Sequence, residues 1–251
     1  MGELKGFEHR EMGVKNPYNR EAIEAMMQAT PARIATGRVG SRPPVDAWLS
    51  FRLDEAAAKD AIWTRIPDEF LTKNGVALRV STICTDKLDY VGHPEKGGIL
   101  TKEAEEAILA HCQKGAQVQV FMSEGLSSSA VMENLPDLLP ALKHGFDAAG
   151  ITFGTPFYVD NGRVRLLNDV CRVLQPEVAI MLIGERPGLV TQTSLSAYMA
   201  YKAKMTDTDG ERNCISNIYN QGLNPMEAAA TIVDIAKRML DQKISGVALK
   251  L

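Results

Sequence analysis

The chain has 251 residues, 45% hydrophobic and 24% charged, enough to bury a sizeable core in one large domain or two small ones. A formal net charge of -3 leaves no basic footprint for nucleic acid or an anionic membrane surface. No apolar run nears the roughly 18 residues needed to span a bilayer, and MGELKGFEHREMG at the N-terminus is too polar for a secretory leader, so a cytoplasmic location is expected.

Residues 1–75 read as a helical N-terminal segment. Asn16-Pro17 offers a helix start, Ile23, Met26 and Met27 follow at helical spacing, and Thr30-Pro31 stops the run. In RIATGRVGSRPP, Arg33, Arg38 and Arg42 alternate with Gly37, Gly40 and Pro43-Pro44. The stretch reads as a solvated basic loop or as a docking surface for an acidic partner or a phosphate. A second helix is predicted from Val45 to about Ile62, with Trp48, Leu49, Ala56 and Ala57 as its buried face, and a third from Pro67 to near Gly75.

From Val76 to the end the pattern is that of a second domain. VALRVS is a short strand, YVGHPEKGG a connection, and Thr101 the cap of a helix over 102–114. QVQVF at 117–121 alternates as a strand does and runs into SEGLSSSAV, the form of a ligand-binding strand-to-helix corner. It lacks both GxxxxGK[ST] and GxGxxG, so neither a P-loop nor a dinucleotide fingerprint is present. Ser123, Glu124 and Ser127 are candidates for ligand contact, although helix capping alone would explain the serines. A helix over 136–149, a broken strand in ITFGTPFYV and a helix over 166–175 follow. The unbroken apolar run Val178 to Ile183 then reads as a buried parallel strand, ending in the charged turn Gly184-Glu185-Arg186-Pro187.

Strand, helix, strand, helix, strand from 117 to 183 predicts an α/β fold, a Rossmann-like parallel sheet flanked by helices. Such a sheet brings Ser123, the Arg163-Val164 turn and Glu185 to one edge, where open α/β sheets bind ligands. Glu185 and Arg186 are open between ligand recognition and a structural ion pair. The polar stretch from Thr191 to Pro225 has no clear assignment, and a connection of that length points to function. A last helix opens at Asn224-Pro225, with Met226, Ala229, Ala230, Val233, Ala236 and Leu240 as its core face.

Self-contained catalysis has little support. His9, His93, His111 and His144 stand in unrelated contexts, with no GxSxG elbow and no metal-ligand spacing. Cys84, Cys112, Cys171 and Cys214 show no CxxC or zinc pattern and are expected to be reduced. A stand-alone enzyme would have to use Cys214 or Ser127, and Cys214 lacks a recognisable partner base.

GRVGSRP, SEGLS, GTPF with GRV eight residues on from Gly154, VAIMLIGERPGL, CISNI and PMEAAATIVDIAKRML occur in one order over about residues 16–247. Together they resemble the small (light) subunit of ethanolamine ammonia-lyase. The resemblance implies one chain of an adenosylcobalamin-dependent lyase that converts ethanolamine to acetaldehyde and ammonia by a radical route begun by cobalt–carbon homolysis. It implies a large-subunit partner with a TIM-type barrel holding substrate, cobalamin at the interface, and a place inside a bacterial microcompartment. The implied cobalamin contacts of this chain are Val164 in GRV, Glu185 in GERPGL and Cys214 in CISN, with residues 76–251 as the cobalamin-binding domain and no catalytic or metal-ligating side chain. No DxHxxG occurs, so no histidine of this chain is expected beneath cobalt.

Overall fold

The computed structural model describes residues 12–30 and 32–250. The N-terminal polar segment through Glu11, with His9, and the Pro31 helix stop lie outside the described residues. Two compact units emerge. One holds the described residues up to Asp60 together with Pro187–Gln192; the other holds Ala61–Arg186 and the chain from Thr193 on.

In the first unit, helix α1 (Arg20–Ala29) is capped by Asn19, whose side chain accepts from the Ala22 N–H at 3.0 Å. The proposed start at Asn16 gives way because Asn16 takes a left-handed φ of 53°. The basic stretch closes on a Val39–Arg42 bridge, with Gly37 and Gly40 left-handed. Arg33 pairs with Asp54, lies over the Phe51 ring and donates to the Leu189 carbonyl at 3.0 Å. Helix α2 (Val45–Trp63) forms as predicted, but its expected buried face does not: Trp48 and Leu49 are about half exposed and Ala56 is exposed.

The second unit is built on a six-stranded sheet in the order β1-β3-β2-β4-β5-β6. Its strands are β1 (Leu78–Ser81), β2 (Val118–Ser123), β3 (Phe157–Asp160), β4 (Val178–Gly184), β5 (Leu195–Tyr201) and β6 (Asn213–Ile218). The first four in spatial order are parallel, whereas β5 and β6 add on antiparallel. The expected all-parallel Rossmann-like sheet is therefore corrected to a mixed one: two strands lie inside the stretch that reads as a polar connection. Their register is fixed by packing, since Leu195, Ala197 and Met199 all face the core.

Helices cover both faces. The helices of this unit are α3 (Asp68–Lys73), α4 (Lys87–Gly92), α5 (Lys102–His111), α6 (Ser128–Ala148), α7 (Leu166–Leu174) and α8 (Pro225–Gln242). One core joins Val131, Leu135 and Leu138 of α6 and Ile232, Ala236 and Met239 of α8 to Val178, Ile180 and Leu182 of β4. The other joins Ile108 of α5 and Leu167 and Val170 of α7 to Ala179, Met181 and Ile183. Burial on both sides is why β4 is an unbroken apolar run. β2 is equally buried despite its alternating sequence, because Gln119 donates to the Val120 and Thr155 carbonyls, both at 2.8 Å.

Several boundaries move. The helix expected over 136–149 starts at Ser128 and contains Pro136 and Pro140, its cap being Ser127. α8 is rotated from the predicted face: Ala229 and Ala236 are buried and Val233 and Leu240 partly so, but Met226 and Ala230 are exposed while Ile232, Ile235 and Met239 point inward. Helix α4 falls in a stretch read partly as a connection, with Asp86 capping the Asp89 N–H at 2.8 Å.

A crevice at the carboxyl ends of β2, β3 and β4

The chain leaves β2 through α6 on one face to reach β3, and leaves β3 through α7 on the other to reach β4. The neighbouring ends of β2 and β3 thus flank a change of winding direction, the place where an open α/β sheet leaves a crevice, and the end of β4 lies beside them. Two glycines make the crevice narrow at its floor. Gly125, at a left-handed φ of 54°, lies so close to β4 that a Cβ would come 2.4 Å from the Gly184 carbonyl oxygen. A Cβ on Gly184 would come 2.1 Å from the Ser127 carbonyl oxygen. Only a side chain of hydrogen fits either place.

Glu124 fixes the strand ends beneath. Its carboxylate is buried and accepts from the Tyr158 hydroxyl at 2.7 Å, the Ser123 hydroxyl at 3.1 Å, the Asn161 N–H at 3.0 Å and the Lys87 ammonium at 3.1 Å. Ser123 in turn accepts from the Gly162 N–H at 2.9 Å. Four internal donors use this carboxylate, so Glu124 and Ser123 are structural. Ser127, also buried, accepts from the Ala130 N–H at 3.1 Å and caps α6. Capping explains the serine-rich corner.

Glu185 is different. Its Oε1 accepts from the Ser196 hydroxyl at 2.7 Å and the Asn217 N–H at 2.9 Å, and its own N–H donates to the Ser194 carbonyl at 3.0 Å. Among the described residues Oε2 has no partner, and no ion pair joins Glu185 to Arg186. The alternative of a structural ion pair is thereby set aside. Asn217 supplies its N–H from a left-handed φ of 58° on β6, which gives GERPGL and CISN a common physical purpose: one holds the carboxylate that the other orients.

The third side comes from the turn after β3 and from α4. Arg163 lies 4.2 Å over the Tyr90 ring and donates to the Tyr90 carbonyl at 3.2 Å, while the Tyr90 hydroxyl donates to the Gly162 carbonyl at 3.2 Å. Burial pushes the Tyr90 phenol far above its ordinary value, with Arg163 pulling it back in part. Val164 is half-buried and packs on the α7-side core.

Together these groups line a crevice of about 380 Å³ that includes Tyr90, Arg163, Val164, Glu185, Tyr198 and Ser216. The sheet thus brings Val164 and Glu185 into one crevice, with Ser123 buried below. Cys214 is exposed on β6 and pairs in register with Tyr198, beside the lining and not in it. Desolvation raises its thiol above the ordinary value, and its polar neighbours Tyr198 and Ser196 are not bases. Tyr198 is itself pushed up to about 12 by burial and then by Cys214, so it remains a neutral phenol. Among the described residues no group of three or more His, Cys, Asp or Glu side chains could hold a metal.

The family model for the ethanolamine ammonia-lyase light chain (EutC) matches residues 20–250. The chain belongs to that family. It is accordingly the small subunit of ethanolamine ammonia-lyase, one part of a heteromeric, adenosylcobalamin-dependent lyase, and a larger subunit is its partner. No described helix of the light chain is long and apolar enough to cross a membrane. Sequence reasoning missed Tyr90, Ser196, Tyr198 and Ser216 as parts of the crevice. Asp86 as a cap ahead of Tyr90 and the period-two pattern of LSAYMAY were the signals that could have found the first three; Ser216 lay in CISNI without a strand assigned to it.

Proposed function

We propose that the light chain closes one side of the cobalamin site through this crevice, with Val164, Glu185 and Cys214 as its contacts. In this reading residues 76–251 are the cobalamin-binding domain. The partner is a large subunit whose TIM-type barrel holds ethanolamine, and the assembled enzyme works in the cytoplasm inside a bacterial microcompartment. The resemblance in sequence supports the last two statements; the crevice supports the first.

The observation that carries the reading is the free Oε2 of Glu185. A carboxylate whose other oxygen is already fixed by Ser196 and Asn217 is oriented before ligand arrives and has one acceptor left. Cobalamin's rim of amide N–H groups needs such acceptors, and Val164 offers an apolar wall beside it. The glycine pair lets the end of β4 and the corner after β2 close on each other at the crevice floor, since a Cβ on either would meet a backbone carbonyl oxygen. The residues present therefore fit the group. When bound, adenosylcobalamin supplies the radical that acts on ethanolamine in the large subunit. This chain's residues bind it, orient it and keep water from one side of it. Cys214, with its raised thiol, packs as a neutral side chain at the rim.

The test is cobalamin binding by the reconstituted large and small subunits, followed by visible absorbance. Glu185→Ala is expected to weaken binding about tenfold or more, in line with loss of charge-assisted hydrogen bonds, while subunit assembly persists. Unchanged affinity would refute the role of Glu185.

A further inference from the structure

Helix α2 turns its large apolar side chains outward and its small ones the other way. Val45, Trp48, Leu49, Leu53 and Ala56 recur at the spacing of one helical face, and all five are exposed, Val45 to 70%, Trp48 to 52%, Leu49 to 49% and Leu53 to 62%. The opposite positions are Ala47, Phe51, Asp54 and Ala58. Arg33 serves that side, lying over the Phe51 ring and pairing with Asp54. A soluble helix that packs only on its own chain has the reverse arrangement.

The unit that holds α2 has no core of its own to account for this. Ala58 is the only buried side chain among its described residues, and α1 buries none. A body so small holds together only when something hides a good share of its surface. An apolar stripe left outward on such a body marks an interaction site, and a helix laid by that stripe into a groove is a common way for two chains to join.

Charge selects among the possible occupants. Arg38 and Arg42, on the turn just ahead of α2, are exposed and have no ion pair among the described residues, whereas Arg20, Arg33, Arg52 and Lys59 of the same unit each have one. Two copies of this chain joined along the stripe would bring that turn against itself if the helices ran parallel, or against Lys59 if they ran antiparallel. Like charges would meet in both cases. The larger subunit is the partner that family membership supplies, and it need offer only the complement, an apolar groove edged with carboxylates.

We propose that the outward stripe of α2 is a docking surface for the large subunit, with Trp48 as its anchor and with Arg38 and Arg42 meeting acidic side chains at its edge. This rests on the two-subunit make-up of the family and is independent of the cobalamin reading.

The experiment measures association and dissociation of the full light chain on immobilised large subunit. Trp48→Ala combined with Leu53→Ala should raise the Kd about tenfold or more, mainly through faster dissociation. The same change should leave the urea stability of the isolated light chain within about 0.5 kcal/mol of wild type, because both side chains are exposed. Arg38→Glu with Arg42→Glu should slow association and flatten its dependence on salt. An unchanged Kd for the Trp48 and Leu53 variant would overturn the docking surface. A loss of stability in the isolated chain would overturn it too, since the stripe would then be covered by its own chain. Self-association of the wild-type light chain that the same variant abolishes would give the stripe to a second copy, again against the proposal. No change in association with the arginine variant would overturn the acidic edge. The assay contains no cobalamin, so failure of this surface and failure of the cobalamin reading are seen separately.

Discussion

Removing the Glu124 carboxylate should loosen the ends of β2 and β3 and helix α4 at once. In Glu124→Ala the Lys87 ammonium, with a side chain only 19% exposed, loses its counter-charge at 3.1 Å. The Asn161 N–H and the hydroxyls of Tyr158 and Ser123 lose their acceptor as well. Breaking this buried pair to alanine costs about 3–5 kcal/mol, shared between the charge left on Lys87 and the three other donors left without an acceptor. Glu124→Gln is the informative contrast. Its amide oxygen can still serve Lys87 and Asn161, and its NH₂ can donate to the two hydroxyls, which rotate to accept. Only the charge is lost, at about 1–2 kcal/mol. Urea titration of the purified chain, followed by near-ultraviolet circular dichroism, gives both numbers. In thermal melts the alanine variant should unfold roughly 6–20 °C below wild type, at about 2–4 °C per kcal/mol for a body of this size. If alanine and glutamine cost the same to within about 0.5 kcal/mol, the carboxylate is not the tie between the strand ends and the reasoning fails.

Three further outcomes follow from single contacts. Gly184→Ala places a Cβ 2.1 Å from the Ser127 carbonyl and 2.3 Å from that of Glu124, so it should cost about 1–3 kcal/mol or more in a melt; a neutral result would show that β4 and the corner can separate freely. Asp89 is held down to about 2 from an ordinary 3.8, chiefly by its hydrogen bond from Lys96 and then by the Thr85 N–H. Its contribution is complete above pH 3.8 and is lost as the pH falls towards 2; Asp89→Asn should flatten the stability–pH curve in that window, and an unchanged slope would contradict this. Of the four cysteines only Cys214 is exposed, so a chromogenic disulfide reagent should titrate one thiol in the native chain and four after denaturation. Its rate should keep rising above pH 9, because the thiol lies above its ordinary 9.0; a fast reaction at neutral pH would instead mark an activated nucleophile.

Much of the crevice was legible in sequence because its parts sit where strands end. The run from Val178 to Ile183 is apolar on both faces only because α6 and α8 cover one side and α5 and α7 the other, and Gly184-Glu185 must then lie at its carboxyl edge. What could not be read was the sheet's other half. LSAYMAY does alternate, but its second set, Ser196, Tyr198 and Ala200, lies on the α7-side face, buried or half-buried, and is too small or too apolar to stand out as a polar face. With β5 and β6 unseen, the partners of Glu185 on Ser196 and Asn217 stayed hidden. Pro136 misled for a different reason: a proline at the first turn of a helix looks the same in sequence as one inside it, and here Ser127 had already capped the helix. Trp48 and Leu49 have the spacing of a buried stripe, yet spacing reports only that one face is apolar, not that this chain covers it.

Glu185 is proposed to face cobalamin in the assembled enzyme. A binding titration of cobalamin into the reconstituted large and small subunits, wild type against Glu185→Ala, tests it directly. A Kd raised about tenfold or more with assembly intact, equivalent to about 1.4 kcal/mol, is expected. An unchanged Kd would contradict it.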